Sequence, residues 1–150
     1  MTRKLHVIAA GLVLGYAVAV SGALAQESVF GDKLGFMPRA DANAPLVNGT
    51  GWVAATLDGN TLNIEGEFEG TAGSATALAL HMAPPAQVGP EFARVDLEGS
   101  NSGTISATVD LTEEQVAALQ DNSIYVVVVT DRNQTGELRA WLVADNDPRQ

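Results

Sequence analysis

The stretch from Trp52 to Glu69 reads WVAATLDGNTLNIEGEFE, and its alternation decides the fold class. Val53, Ala55 and Leu57 alternate with Trp52, Ala54 and Thr56. Asp58-Gly59-Asn60 then breaks the run, as a tight hairpin requires. On the return, Leu62, Ile64 and Phe68 alternate with Thr61, Asn63, Glu65, Glu67 and Glu69. A period of two with one apolar and one acidic face marks a half-buried β-strand. Glu65, Glu67 and Glu69 are spaced as any wet strand spaces its polar side, so they read as a solvated face rather than as paired catalytic carboxylates.

The same period recurs downstream. Between Ser74 and Met82, Leu78, Leu80 and Met82 oppose Ala77, Ala79 and His81, and Pro84, Pro85, Gly89 and Pro90 end the run in a stiff loop. Ala93, Val95 and Leu97 alternate with Arg94, Asp96 and Glu98; after Gly99–Gly103, Ile105, Ala107, Val109 and Leu111 alternate with Thr104, Ser106, Thr108 and Asp110. One segment departs from this pattern. Thr112-Glu113-Glu114-Gln115 is a capping box with Glu113 and Glu114 where the helix dipole favours anions, and it opens about two helical turns that stop at Asp121-Asn122. Ile124–Val129 is apolar on both faces, as a central strand is, and Glu137–Val143 is the last strand. Seven or so short strands between Gly, Asn, Asp and Pro breaks predict an all-β fold. The expectation is an antiparallel Greek-key or immunoglobulin-like β-sandwich with one short connecting helix.

Upstream, Arg3 and Lys4 precede an apolar run from Leu5 to about Val20, then Ala23-Leu24-Ala25 and Gln26. A basic start, an apolar middle and an A-x-A site predict a cleavable secretory signal over residues 1–25, cut between Ala25 and Gln26. Gly11, Gly15, Ser21 and Gly22 dilute the run, which argues against an uncleaved anchor. Residues 26–50, punctuated by glycine, proline and asparagine, read as an extended lead-in with room for one short edge strand. The domain proper is expected over 51–145, with 146–150 as a tail.

The signal holds two of the 8 basic residues and none of the 18 acidic ones, so the mature chain carries a net charge of −12. So acidic a surface repels phosphate backbones and anionic lipid heads, which excludes nucleic acid as a partner. There is no cysteine. An exported domain without disulfides must hold itself by apolar burial and sheet hydrogen bonds.

From Thr50 to Leu142 the chain resembles the CHRD domain, the module named after chordin and found singly in exported bacterial proteins. Gly51 with Ala54–Gly59 is similar to its opening hairpin, His81 with Ala83-Pro84 to the end of its His-x-His-x-x-Pro segment, and Leu111–Leu119 to its helix. Tyr125–Thr130 resembles its Tyr-Val-Asn-Val-His-Thr strand, and Gly136-Glu137-Leu138-Arg139 its Gly-Glu-Ile-Arg. Four polar family positions fall here on Ala79, Val127, Val129 and Trp141. Strand parity sets residues 79 and 81 on one face, as it does 127 and 129, and 137, 139 and 141. The resemblance implies that the family gathers a polar patch there, which this chain has largely made apolar.

Candidate chemistry is sparse. His81 and Glu137 are weak metal candidates, two ligands where a transition-metal site needs three or four. Asp131–Gly136 has oxygen side chains at alternate positions but Leu142 where a calcium loop needs its glutamate. It reads as a turn, with weak calcium binding there or at Asp145 and Asp147 as the alternative. No cysteine, no G-x-S-x-G elbow and a single mature histidine leave no nucleophilic constellation, and no cofactor is implied. Glu137 and Arg139 are expected to pair as ions on one face. Trp141 reads as core, or as an apolar patch for a partner. The leading expectation is an exported non-catalytic module. It would bind another protein or itself through His81, Tyr125, Val127, Val129, Glu137, Arg139 and Trp141. The rival is a metal-binding or redox role around His81, Glu137 and Arg139; a polymeric surface component is a third possibility.

Overall fold

The computed structural model describes residues 27–38 and 47–150; the leader expected over 1–25, with its cut between Ala25 and Gln26, lies outside the described residues. Nine strands and one helix follow in order: β1 (Val29–Phe36), β2 (Thr50–Asp58), β3 (Thr61–Glu69), β4 (Ala75–Met82), β5 (Glu91–Asp96), β6 (Gly103–Asp110), α1 (Glu113–Gln120), β7 (Ile124–Thr130), β8 (Leu138–Trp141) and β9 (Val143–Ala144). The β2–β3 hairpin forms where the alternation places it. Asp58 pairs with Thr61 and leaves Gly59-Asn60 as the loop, with Gly59 at φ +58°, a conformation that strains most side chains. Leu62, Ile64 and Phe68 are buried, while Glu65, Glu67 and Glu69 face water.

All nine strands join in one antiparallel sheet, ordered β5-β4-β7-β8-β1-β2-β3-β6, with β9 also paired to β1. β1 is the corner: Val29–Leu34 pair with β2, whereas Gly35 and Phe36 pair with Arg139 and Leu138 of β8. The sheet therefore folds over on itself and nearly closes, barrel-like, which corrects the expected seven-stranded Greek-key sandwich. Two local features explain the difference. β1 lies in the segment read as a lead-in, where Asp32 interrupts the apolar face of Phe30 and Leu34 and glycine fills two positions of the other face, yet it is paired along both sides instead of forming an edge. The last strand breaks at Leu142, whose amide donates to the Ile124 carbonyl (2.9 Å), so β8 stays on β7 while β9 crosses to β1.

Side chains from both halves of the sheet meet in one core: Phe30, Val53, Leu62, Ile64 and Phe68 from one, Leu78, Leu80, Val126, Val128 and Leu138 from the other. Each such side chain stabilises the fold by roughly 1.5–3 kcal/mol on burial, offset by the entropy of ordering the chain. β7 is buried at all seven positions because a second cluster covers its other face, with Ala77, Ala79, Tyr125, Val127 and Val129. The capping box forms as read: Gln115 N donates to Thr112 Oγ1 (3.2 Å) and Thr112 N to Gln115 Oε1 (2.9 Å). Buried Leu119 ties α1 to the main core. Among the described residues no helix is long and apolar enough to cross a membrane.

Gly51 lies against the backbone of β3; a Cβ there would run into the Glu67 carbonyl and the Phe68 Cα. Gly51→Ala is expected to destabilise the fold by about 1–3 kcal/mol, since backbone must move to admit the methyl. Urea denaturation checks this as a lowered midpoint at unchanged slope.

Candidate functional site

Sheet register assembles the candidate face on the outer side of β4, β7 and β8. His81 opposes Tyr125, which opposes Trp141; Ala79 opposes Val127, which opposes Arg139. The Ala79, Val127 and Trp141 positions therefore belong to one patch, as strand parity requires. The rings of His81 and Tyr125 stack with centroids 4.9 Å apart and planes within 9°, Trp141 lies 5.0 Å further on, and the Arg139 guanidinium sits 4.5 Å over the Trp141 ring. Such contacts add to plain area burial because ring faces are electron-rich.

The polar heads of this row are engaged by the loop between β4 and β5. His81 Nδ1 contacts the Gly89 carbonyl (3.0 Å), the Tyr125 hydroxyl accepts from Gly89 N (3.1 Å), and Trp141 Nε1 donates to the Ala83 carbonyl (3.2 Å). The proline-rich loop is thereby folded over the rings. Tyr125, Val127 and Val129 are buried, with Met37 packed on the cluster. Of the candidate residues only His81, Arg139 and Trp141 reach the surface, each partly. Trp141 packs on the second cluster and is half-buried.

Glu137 departs from expectation. It does not pair with Arg139; its carboxylate is fully buried and collects five donors. Oε1 accepts from Ala72 N (2.5 Å) and Asn48 N (3.0 Å); Oε2 accepts from Thr130 Oγ1 (2.8 Å), Asn133 Nδ2 (3.0 Å) and Gly73 N (3.3 Å). Parity puts residues 137 and 139 on one face but does not say where each head turns. Glu137 turns into the loops, and Arg139 onto an indole. Burial works against the ionised carboxyl, yet the Ala72 amide, Asn133, the Asn48 amide and Thr130 together outweigh it and hold the group below its usual range.

The same geometry separates the two weak metal candidates. Trp141, in the His81 row, is four residues along the strand from Glu137, about 13 Å at strand rise, far beyond the span of one ion. His81 Nε2 lies 4.0 Å from Glu91, whose carboxylate is already bound by Arg94 at 2.8 and 2.7 Å and is held below its ordinary range by that hydrogen bond. Among the described residues no three of His, Cys, Asp or Glu converge on a point that could hold a metal ion. In the Asp131–Gly136 segment, Asp131 already accepts from Ser74 N (2.8 Å) and Asn133 Nδ2 donates to Glu137 (3.0 Å). Asp147 is bound by Arg149 at 2.7 and 2.8 Å.

Sequence reasoning missed the nest around Glu137 and the part played by Gly89. A hint of the latter stood in the chain, a glycine beside prolines, and a Cβ at Gly89 would collide with the Met82 backbone.

Glu137→Gln is expected to destabilise the protein by about 2–4 kcal/mol, because an amide turns its own donors toward backbone N–H groups. Since the native carboxyl is depressed, its contribution is complete above the ordinary carboxyl range, about pH 4.3, and is lost as pH falls through the lower native value. Melting curves from pH 7 to pH 2 check this: the acid loss of stability is expected to flatten in the variant.

A protein-family model described as the CHRD domain matches residues 35–142, from the end of β1 through β8. No curated protein and no solved structure matches the chain.

Proposed function

The chain belongs to the CHRD domain family, and from that premise we propose that it is an exported, non-catalytic binding module that recognises a protein partner through the Arg139–Trp141–Tyr125–His81 row. One observation carries the reading: a guanidinium resting 4.5 Å over an indole at the open end of a stacked aromatic row. Arginine and tryptophan are the residue types that concentrate binding energy in protein interfaces, above all when packed on a rigid base. Here the base is buried Val127, Ala79 and Tyr125.

The row favours a partner that offers a carboxylate beside an apolar or aromatic side chain, the carboxylate for Arg139 and the apolar group for the Trp141 edge. A second copy of so acidic a chain fits less well, since two surfaces of net negative charge repel. The basic start, apolar run and A-x-A site support export. The metal or redox alternative finds little support in side chains that are 13 Å apart or already hydrogen-bonded, by the strand arithmetic above.

The test is capture from the extracytoplasmic fraction followed by reconstitution with the purified captured protein. Affinity is expected to fall at least tenfold in Arg139→Glu, about 1.4 kcal/mol or more, and to stay unchanged in Thr108→Ala on the opposite half-sheet. Equal affinity of Arg139→Glu and wild type overturns the reading. So does light scattering that shows only large homopolymers of the purified domain.

A further inference from the structure

The outer face of the other half-sheet carries a row of the opposite character. Register places Lys33 of β1 against Trp52 of β2, Trp52 against Glu67 of β3, and Glu67 against Thr104 of β6. These four residues, with Glu69 and Pro148, line an open groove of about 530 Å³. That volume lies within the usual range of small-molecule sites.

Two observations set the groove apart from ordinary wet sheet. Elsewhere on this face the polar side chains satisfy one another: Thr61 donates to Asp110 (2.8 Å), Thr108 to Asn63 (3.2 Å), and Arg149 forms an ion pair with Glu65. Along the groove, by contrast, the Lys33 ammonium, the Trp52 indole N–H, the Glu67 and Glu69 carboxylates and the Thr104 hydroxyl have no hydrogen-bond or ion-pair partner among the described residues. Lys33 and Glu67 lie on either side of Trp52, with the indole between them.

The second observation is the wall. Residues after β9 fold back across this face as a strap. Asn146 Nδ2 donates to the Gly31 carbonyl (2.8 Å), Pro148 lies over Gly31, and Arg149 reaches Glu65 while also binding Asp147. A Cβ at Gly31 would meet Pro148 Cδ at 2.9 Å and the Val53 carbonyl, so the missing side chain leaves the strap its seat. Ala54, next in the same row, is buried. The strap thus closes one end of the groove beside Trp52 and leaves the rest open.

We infer that this groove is a binding site for a neutral pyranose sugar, at the size of a disaccharide. A pyranose has an apolar C–H face, which matches a half-exposed indole, and a rim of hydroxyls that both donate and accept. The groove supplies acceptors at Glu67 and Glu69, a donor at Lys33 and a group of both kinds at Thr104, with charges of opposite sign on the two sides of the indole. A cationic peptide would use the carboxylates but would meet Lys33. An anionic ligand would use Lys33 but would meet Glu67 and Glu69. Only a ligand with donors and acceptors around an apolar plane uses the whole row.

The protein has two tryptophans, so its indole N–H signals resolve site by site in an ¹H–¹⁵N spectrum, with Trp52 assigned by its loss in Trp52→Phe. Cellobiose, maltose and N,N′-diacetylchitobiose are titrated separately into the wild-type protein. At least one is expected to shift the Trp52 signal saturably, with a dissociation constant on the order of 1 mM, and to leave Trp141 unmoved. Glu67→Gln, at an exposed position, is expected to weaken that binding several-fold; Trp52→Ala is expected to abolish the saturable shifts of the Thr104 and Glu67 backbone amides that the sugar causes in wild type, without altering backbone signals far from the groove. No saturable shift with any of the three up to about 50 mM overturns the inference. A response to a tri-arginine peptide alone does so too, in favour of a peptide groove.

Discussion

Burying a carboxylate without a cation costs several kcal/mol unless hydrogen bonds replace its water. Glu137 meets that condition with donors from four separate places: Asn48 ahead of β2, Ala72 and Gly73 between β3 and β4, Thr130 at the end of β7, and Asn133 in the turn before β8. Its own carbonyl accepts from Met37 N (3.0 Å), just past the corner strand β1. One side chain therefore holds together the loops at the end of the structure where the sheet turns back on itself. In a chain with no cysteine, this is the long-range tie that a disulfide supplies in many small exported domains.

That tie explains why the two halves of the sheet present such different outer faces. With the loops before β2, β4 and β8 drawn onto Glu137, Met37 comes to rest against the second cluster and its outer face is covered. The proline-rich loop closes the other end of the same face through Gly89 and Ala83. What stays open is a narrow strip of Arg139, Trp141 and His81. The β1–β2–β3–β6 half has no such cover except the C-terminal strap, so its outward residues remain largely in water.

The elements legible in the chain were those whose signal is local. The β2–β3 hairpin, the capped helix and the doubly apolar β7 each rest on a few neighbouring residues. β1 was not legible as an interior strand because Asp32 breaks its apolar face and Gly31 and Gly35 leave two positions of the other face without side chains; the meaning of Gly31 lies in the backbone and the proline that approach it from elsewhere. Closure of the sheet was hidden for a related reason, since it depends on the chain leaving β7 after one residue, Leu142, whose amide still donates to the Ile124 carbonyl before Val143 turns to β1. Within the site, parity correctly set Ala79 near Val127 and Trp141 on their face. It failed for Glu137 and Arg139, because a shared face fixes where a side chain starts and not which partner its head finds.

The two outer faces also differ in what folding has left unused. On the β4–β7–β8 side the ring heads of His81, Tyr125 and Trp141 are bound to loop carbonyls or amides, so those groups define shape but are not available to a ligand. Recognition there must come from stacking and from Arg139, which favours a broad, rigid partner surface. Around Trp52 the polar groups are unspent and the backbone beneath them is paired along every strand. A fixed scaffold with free donors and acceptors suits a small polar ligand, because little ordering is needed when the ligand arrives. The division follows from the topology: closing the sheet consumes the polar groups around Glu137, and leaves those around Trp52 to solvent.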